Sequence, residues 1–192
     1  MNALRELLNE LISGDEARAE RASASLAALG ADAIPALREL ANSPEPESRW
    51  WALRTLAQSP LLQTEWLIPF LDDPAPEVRQ CAALGLGSKA DERAAQAIVR
   101  ALKDEDGMVC SLAVKALITI GREAVPSLIE LAKRGAPPSA SIHALRALAQ
   151  IRDHRAIPVM MQVMEEDSAL LQYWAKEGLE RLGLDMVYLK PV

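Results

Sequence analysis

The chain has 192 residues, and its 27 Asp and Glu against 21 Lys and Arg give a formal charge of −6 at pH 7. Half of the residues are apolar but only 4% are aromatic, and there are two cysteines, Cys81 and Cys110. This composition excludes a disordered chain and a disulfide framework, and a pI of about 5.1 argues against a bare electrostatic grip on nucleic acid.

Helical periodicity starts at the N-terminus. Residues 2–12 form an amphipathic stretch with acids inside it, whereas a secretory leader needs a basic start and an uninterrupted apolar run. No window approaches 18 uncharged apolar residues. A cytoplasmic chain with free thiols and no membrane contact is expected. Further helices are predicted over 14–29, 33–41, 44–58, 61–71, 74–87, 91–103, 105–120, 123–134, 137–150, 154–165 and 168–182, with no strand pattern.

These helices repeat. Pro44-Glu45-Pro46-Glu47-Ser48-Arg49 returns thirty residues later as Pro74-Ala75-Pro76-Glu77-Val78-Arg79. The register extends to one anchor per repeat: Arg18, Ser48, Val78, Val109, Ala140 and Leu171. Four residues past each anchor stands an alanine (Ala22, Ala52, Ala82, Ala113, Ala144, Ala175), and eight past it a leucine (Leu26, Leu56, Leu86, Leu117, Leu148, Leu179). Seven past it the residue is always small: Ser25, Thr55, Gly85, Ala116, Ala147 and Gly178. Offsets 0, 4, 7 and 8 share one face of a 3.6-residue helix, so six helices carry one packing design. Five residues before the anchors, Ser13, Ser43, Asp73, Asp104, Gly135 and Glu166 are the expected helix starts, with Ser13 to Glu16 as a capping box. Gly30, Pro60, Gly121 and Gly183 are the expected ends.

A second apolar segment precedes each anchored helix. It reads Ala33-Ile34-Pro35-Ala36-Leu37, Ala124-Val125-Pro126-Ser127-Leu128 and Ala156-Ile157-Pro158-Val159-Met160, with Leu67-Ile68-Pro69-Phe70-Leu71 as a variant. Each Pro falls in or near a first turn, where its missing N–H costs least. Asp32 and Asp153 are candidate caps for these helices. The unit is a helix pair of about 31 residues that buries its apolar face only against the next pair. Six repeats, about 2–30, 31–60, 61–90, 91–121, 122–152 and 153–183, make a single domain over 1–183. The apolar tail 184–192 is expected to fold over the last pair through Met186, Tyr188 and Leu189, or to dock on another chain.

Asp73-Pro-Ala-Pro-Glu-Val-Arg-Gln-Cys-Ala-Ala-Leu-Gly-Leu-Gly87 resembles the second helix of a HEAT repeat, and Ala156-Ile-Pro-Val-Met160 the first helix of the short bacterial subtype named after the phycobilisome lyases, the E–Z type. The resemblance covers about residues 2–183. It implies an all-α fold, a right-handed α–α superhelix, with the anchored helices lining a concave side. The family usually places Arg one residue past the anchor as a polar ladder. Arg49 and Arg79 keep it, whereas Ala19, Cys110, Ser141 and Gln172 depart from it.

Catalytic templates find little purchase. His143 and His154 read as packed and solvated side chains, and Cys81 and Cys110 as buried thiols without metal-ligand spacing. Gly85-Leu-Gly87-Ser88-Lys89 lacks phosphate-loop spacing, and the acidic runs at 104–106 and 165–167 complement helix starts. No cofactor and no metal are expected. Of the tryptophans, Trp51 and Trp174 are expected to be half-buried, and Trp66 to lie in the core.

The outer ridge of the anchored helices, at offsets 2 and 6, is the candidate binding surface. Trp50, Arg54, Gln80, Leu84, Ser111, Lys115, Ile142, Arg146 and Tyr173 are its candidate residues, and the aromatic and Arg members are types that dominate binding hot spots. The expected function is a non-catalytic scaffold for a protein or peptide, for example an amphipathic helix with acidic flanks facing Arg54, Lys115 and Arg146. The family resemblance alone supplies two other readings. One is a phycobilin lyase-like subunit or tetrapyrrole-protein chaperone; the other is DNA-lesion binding, which the acidic charge opposes. The oligomeric state is open, with a monomer as the simplest expectation.

Overall fold

The computed structural model describes residues 2–133 and 137–184, which are all-α with no strand among them. The tail expectation at Met186, Tyr188 and Leu189 and the helix start at Gly135 fall outside the described residues. The chain forms two compact units, Met1–Lys89 and Ala90–Val192. The first holds α1 (Asn2–Leu11), α2 (Glu16–Ala28), α3 (Ile34–Leu40), α4 (Pro46–Gln58) and α5 (Pro76–Lys89). The second holds α6 (Ala95–Ala101), α7 (Gly107–Ile120), α8 (Val125–Ala132), α9 (Pro138–Ile151), α10 (Ile157–Val163) and α11 (Ala169–Arg181). No described helix is long and apolar enough to cross a membrane.

Long anchored helices alternate with short ones, and a 3₁₀ turn leads into each of α3, α6, α8 and α10. Pro35, Pro126 and Pro158 each occupy the second residue of a short helix, where no intrahelical N–H bond is lost. One expected helix is absent. In place of 61–71 stand two 3₁₀ turns, Thr64–Trp66 and Ile68–Asp72. Ile68 lies eight residues before Pro76, whereas Ile34 lies twelve before Pro46. One turn of chain is missing after Pro69 and the loop at 59–63 is correspondingly longer, so the 30-residue period survives although the helix does not.

The start signals also need correction. The anchored helices begin about two residues later than expected, capped by Asp15, Asp106 and Ser168, each accepting the N–H three residues on. Ser13, Ser43, Asp73 and Asp104 instead accept the N–H two residues on, closing the turn ahead of the helix. The expected Ser13–Glu16 box is thus replaced by an Asp15 cap. Ala33, not Asp32, precedes α3 without a side-chain bond, while Asp153 caps the 3₁₀ turn His154–Ala156.

The repeat columns form the core. All six alanines at offset 4 and all six leucines at offset 8 are buried, none more than 1% exposed. Offset 7 is small because neighbours come close: a Cβ at Gly85 would lie 2.7 Å from Leu67 Cδ1 and 3.2 Å from Ala57 Cβ, and one at Gly178 would lie 2.5 Å from Met160 Cε. Only Ser25, in the first repeat, is exposed at this offset, its hydroxyl donating to Arg21 O.

From the second repeat onward offset 1 is a polar column inside this core, whereas the first repeat has buried Ala19 there. Arg49 donates to both Asp73 oxygens, at 2.8 and 2.7 Å, and to the carbonyls of Ser43 and Pro44. Arg79 donates to the carbonyls of Asp73 and Pro74. Cys110 Sγ lies 3.3 Å from Asp104 O, Ser141 donates to Leu131 O, and Gln172 donates to the carbonyls of Met164 and Glu166. Four residue types thus satisfy carbonyls left over at the end of the preceding segment, which cost free energy if buried unpaired. Burial pushes the Asp73 carboxyl up, but the hydrogen bonds from Arg49 and from the Ala75 N–H outweigh this and hold it below the ordinary carboxylate range.

Candidate functional site

In the first unit the ridge residues on α4 and α5 face away from the Ala/Leu stripe. Trp50 is half-buried and meets Trp51 edge to face, with centroids 4.8 Å apart. Trp51 is only 5% exposed, so it is a core residue and not the half-buried edge expected for it. The Arg54 guanidinium lies 5.4 Å from the Trp50 ring centroid and donates to Glu20 Oε1 at 2.6 Å. Trp50 and Gln80, equivalent positions in successive repeats, line one cleft of about 400 Å³ together with Pro46, Glu47 and Glu77. Leu84, one turn beyond Gln80, is 59% exposed.

Glu47 and Glu77 are the members of this cleft that the ridge expectation missed. They stand one residue before the anchors, at the second residue of α4 and α5. The repeated Pro-x-Pro-Glu phrase that set the register contains both, so the signal was present at offset −1, outside the two ridge offsets.

A smaller hollow of about 190 Å³ opens where the third pair lacks its first helix, beside Trp66, Phe70 and Leu56. Trp66, expected in the core, is only half-buried there, with the Arg38 guanidinium 5.1 Å from its ring centroid. The missing helical turn removes the cover that a core position would need.

The second unit builds its ridge differently. Tyr173 meets Trp174 edge to face at 5.2 Å, and the Arg146 guanidinium lies 5.5 Å from the Trp174 ring. Tyr173 is exposed, Trp174 half-buried as expected, and Ile142 half-buried. Lys115 is exposed, and Ser111 donates to Gly107 O within its own helix. These contacts join Arg146 and Tyr173 through Trp174 but bring neither Ser111 nor Lys115 to them. At offset −1, where the first unit has Glu47 and Glu77, the second presents exposed Met108 and Leu170.

The remaining reactive groups are subdued. Burial pushes the Cys81 thiol up to about 12 and also raises that of Cys110, so neither is a ready thiolate. Burial, and then the Arg146 charge, lower the His143 imidazole. Asp153 is held well below the ordinary carboxylate range, first by the Arg155 side chain and then by the Arg155 N–H. Among the described residues no three His, Cys, Asp or Glu side chains gather as metal ligands.

A family model described as HEAT repeats matches residues 64–141, and one described as PBS lyase HEAT-like repeat matches 142–166. No curated protein matches the chain in sequence. Among solved structures, the archaeal HEAT-like repeats protein from Thermococcus onnurineus NA1 is similar with a TM-score of 0.61 at 14% identity, covering 93% of this chain and 80% of that one. The complex of CpcE and CpcF of phycocyanin lyase from Nostoc sp. PCC7120 gives 0.55 at 20% identity, over 94% of this chain and 77% of that one. A designed armadillo repeat protein in complex with the peptide (KR)4 gives 0.50 at 20% identity, over 93% and 99%. At these identities the likeness concerns the fold.

Proposed function

Because the chain is a HEAT-repeat protein, we propose that it is a non-catalytic scaffold that binds a protein or peptide along the outer ridge of its anchored helices. The observation that carries this reading is the cleft at Trp50: an aromatic side chain at one repeat's offset 2 and its equivalent, Gln80, in the next line one hollow of about 400 Å³, with exposed Leu84 nearby. Aromatic side chains half-sunk in a hollow are typical binding anchors. The likeness to a designed repeat protein that holds a peptide supports it. Two free, buried thiols suit a reducing compartment such as the cytoplasm. Arg54 is already paired with Glu20, so the expectation of an acidic partner helix rests on Lys115 and Arg146 of the second unit.

Panning a random peptide library on the purified chain tests the reading. Enriched peptides should lose at least about tenfold in affinity against Trp50→Ala or Leu84→Asp, a loss of about 1.4 kcal/mol, while circular dichroism shows both variants folded. No enrichment, or enriched peptides indifferent to both variants, would count against it.

The match of 142–166 to the PBS lyase HEAT-like repeat and the likeness to a phycocyanin lyase complex favour a second reading, a lyase-like subunit or tetrapyrrole-protein chaperone. Mixing the chain with a bilin should then shift the pigment's absorption band, and an unmoved band removes this reading.

A further inference from the structure

We infer that the Trp50 cleft is a subsite for the Lys or Arg side chain of a basic peptide, with the cation beside the Trp50 indole and between the carboxylates of Glu47 and Glu77. This rests on the scaffold reading and names the chemistry of its partner at one place.

Three observations converge on a cation. Glu47 and Glu77 both line the cleft, on successive helices, and neither carboxylate has a hydrogen bond or ion pair with a described residue. Arg54, the cation over the indole, is committed to Glu20 and not to these carboxylates. The charge of the whole unit points the same way: residues 1–89 carry 8 Lys and Arg against 13 Asp and Glu, a net −5, so the remaining residues hold only −1 of the chain's −6. A cation over an indole gains from the ring quadrupole, and more so as water is excluded.

The same observations select an organic cation. Hard metal ions require six or more oxygen ligands, whereas two carboxylates beside an indole match an ammonium or guanidinium on an aliphatic stem. The stem would lie along Pro46 and the indole, and exposed Leu84 offers apolar surface to the residues that follow. The site belongs to this pair of repeats alone, because offset −1 is Ala17, Met108, Ser139 or Leu170 elsewhere.

Fluorescence anisotropy with a labelled peptide of four Lys-Arg repeats, beside one of four Glu-Asp repeats, tests the assignment. The basic peptide should bind, and the pair Glu47→Gln and Glu77→Gln should weaken it by about tenfold. Trp50→Phe, which keeps an aromatic but a poorer quadrupole, should weaken it by about threefold. The pair Glu10→Gln and Glu39→Gln removes the same charge from exposed positions of the same unit and should leave affinity within about twofold. No binding of the basic peptide, equal losses in both Glu pairs, or no loss in the cleft pair each overturns the assignment, whereas acidic-peptide binding that the cleft pair leaves unchanged belongs to the second unit. If library-selected peptides still depend on Trp50 in any of those cases, the scaffold reading stands and only the cationic subsite falls. If they do not, the scaffold reading falls with it.

Discussion

The two units are built from one repeat and differ where the repeat is polar. In the first, offset 1 is Ala19, Arg49 and Arg79, with Arg49 holding a buried carboxylate through two hydrogen bonds; in the second it is Cys110, Ser141 and Gln172, each making neutral contacts to carbonyls. At offset −1 the first unit has Glu47 and Glu77 and the second Met108 and Leu170. The alanine and leucine columns are the same in both. The difference teaches that helix stacking fixes the apolar columns, whereas the carbonyl ends require only some donor of suitable reach, so charge is optional in this architecture.

The largest test of that contrast is Arg49→Met. It leaves Asp73 buried without its partner and should cost about 3–5 kcal/mol, read by urea denaturation. Ser141→Ala, at the same offset in the second unit, removes one neutral hydrogen bond and should cost about 1 kcal/mol. Equal losses would erase the distinction between the units. Next comes Gly85→Ala, whose new methyl meets buried Leu67 and the backbone-anchored Cβ of Ala57. It should destabilise by about 1–3 kcal/mol, partly offset by the helix preference of Ala. Gly178→Ala should be close to neutral, because the atoms it meets first are the end of the flexible Met160 side chain. A reversed order would show that the first unit yields more easily than its packing implies. The smallest effect is on acid sensitivity. Asp73 sits below its ordinary value when folded, so its contribution is complete above about pH 3.9 and is lost as pH falls through the lower folded value. Arg49→Met should therefore flatten the acid limb of the stability curve below about pH 4, and an unchanged limb would place the acid response elsewhere.

Most of the architecture was legible because a repeat states its packing six times. Alanines and leucines recurring at offsets 4 and 8 have no other economical explanation, and their burial follows. Three things escaped for physical reasons. The loss of a helix at 61–71 depended on chain length between Pro69 and Pro76, which an anchor spacing of 30 conceals. The cap positions were displaced because Ser and Asp close turns as readily as they cap helices. The Arg54–Glu20 pair joins residues 34 apart, and nothing local in the sequence announces it. At the candidate site, Trp50 and Gln80 were legible as a ridge, while the two carboxylates beside them were hidden in the phrase that marked the register.

The separation between offsets has a consequence for how such a chain can change. Residues that clamp one helix to the next occupy 1, 4, 7 and 8, and those we propose as the binding surface occupy −1, 2 and 6. Exchanging Glu47 for a methionine, or Met108 for a glutamate, alters what the surface attracts without touching a clamp. Each repeat is in this sense a cartridge with a fixed housing and a replaceable label, and a lineage could rewrite its clientele one label at a time.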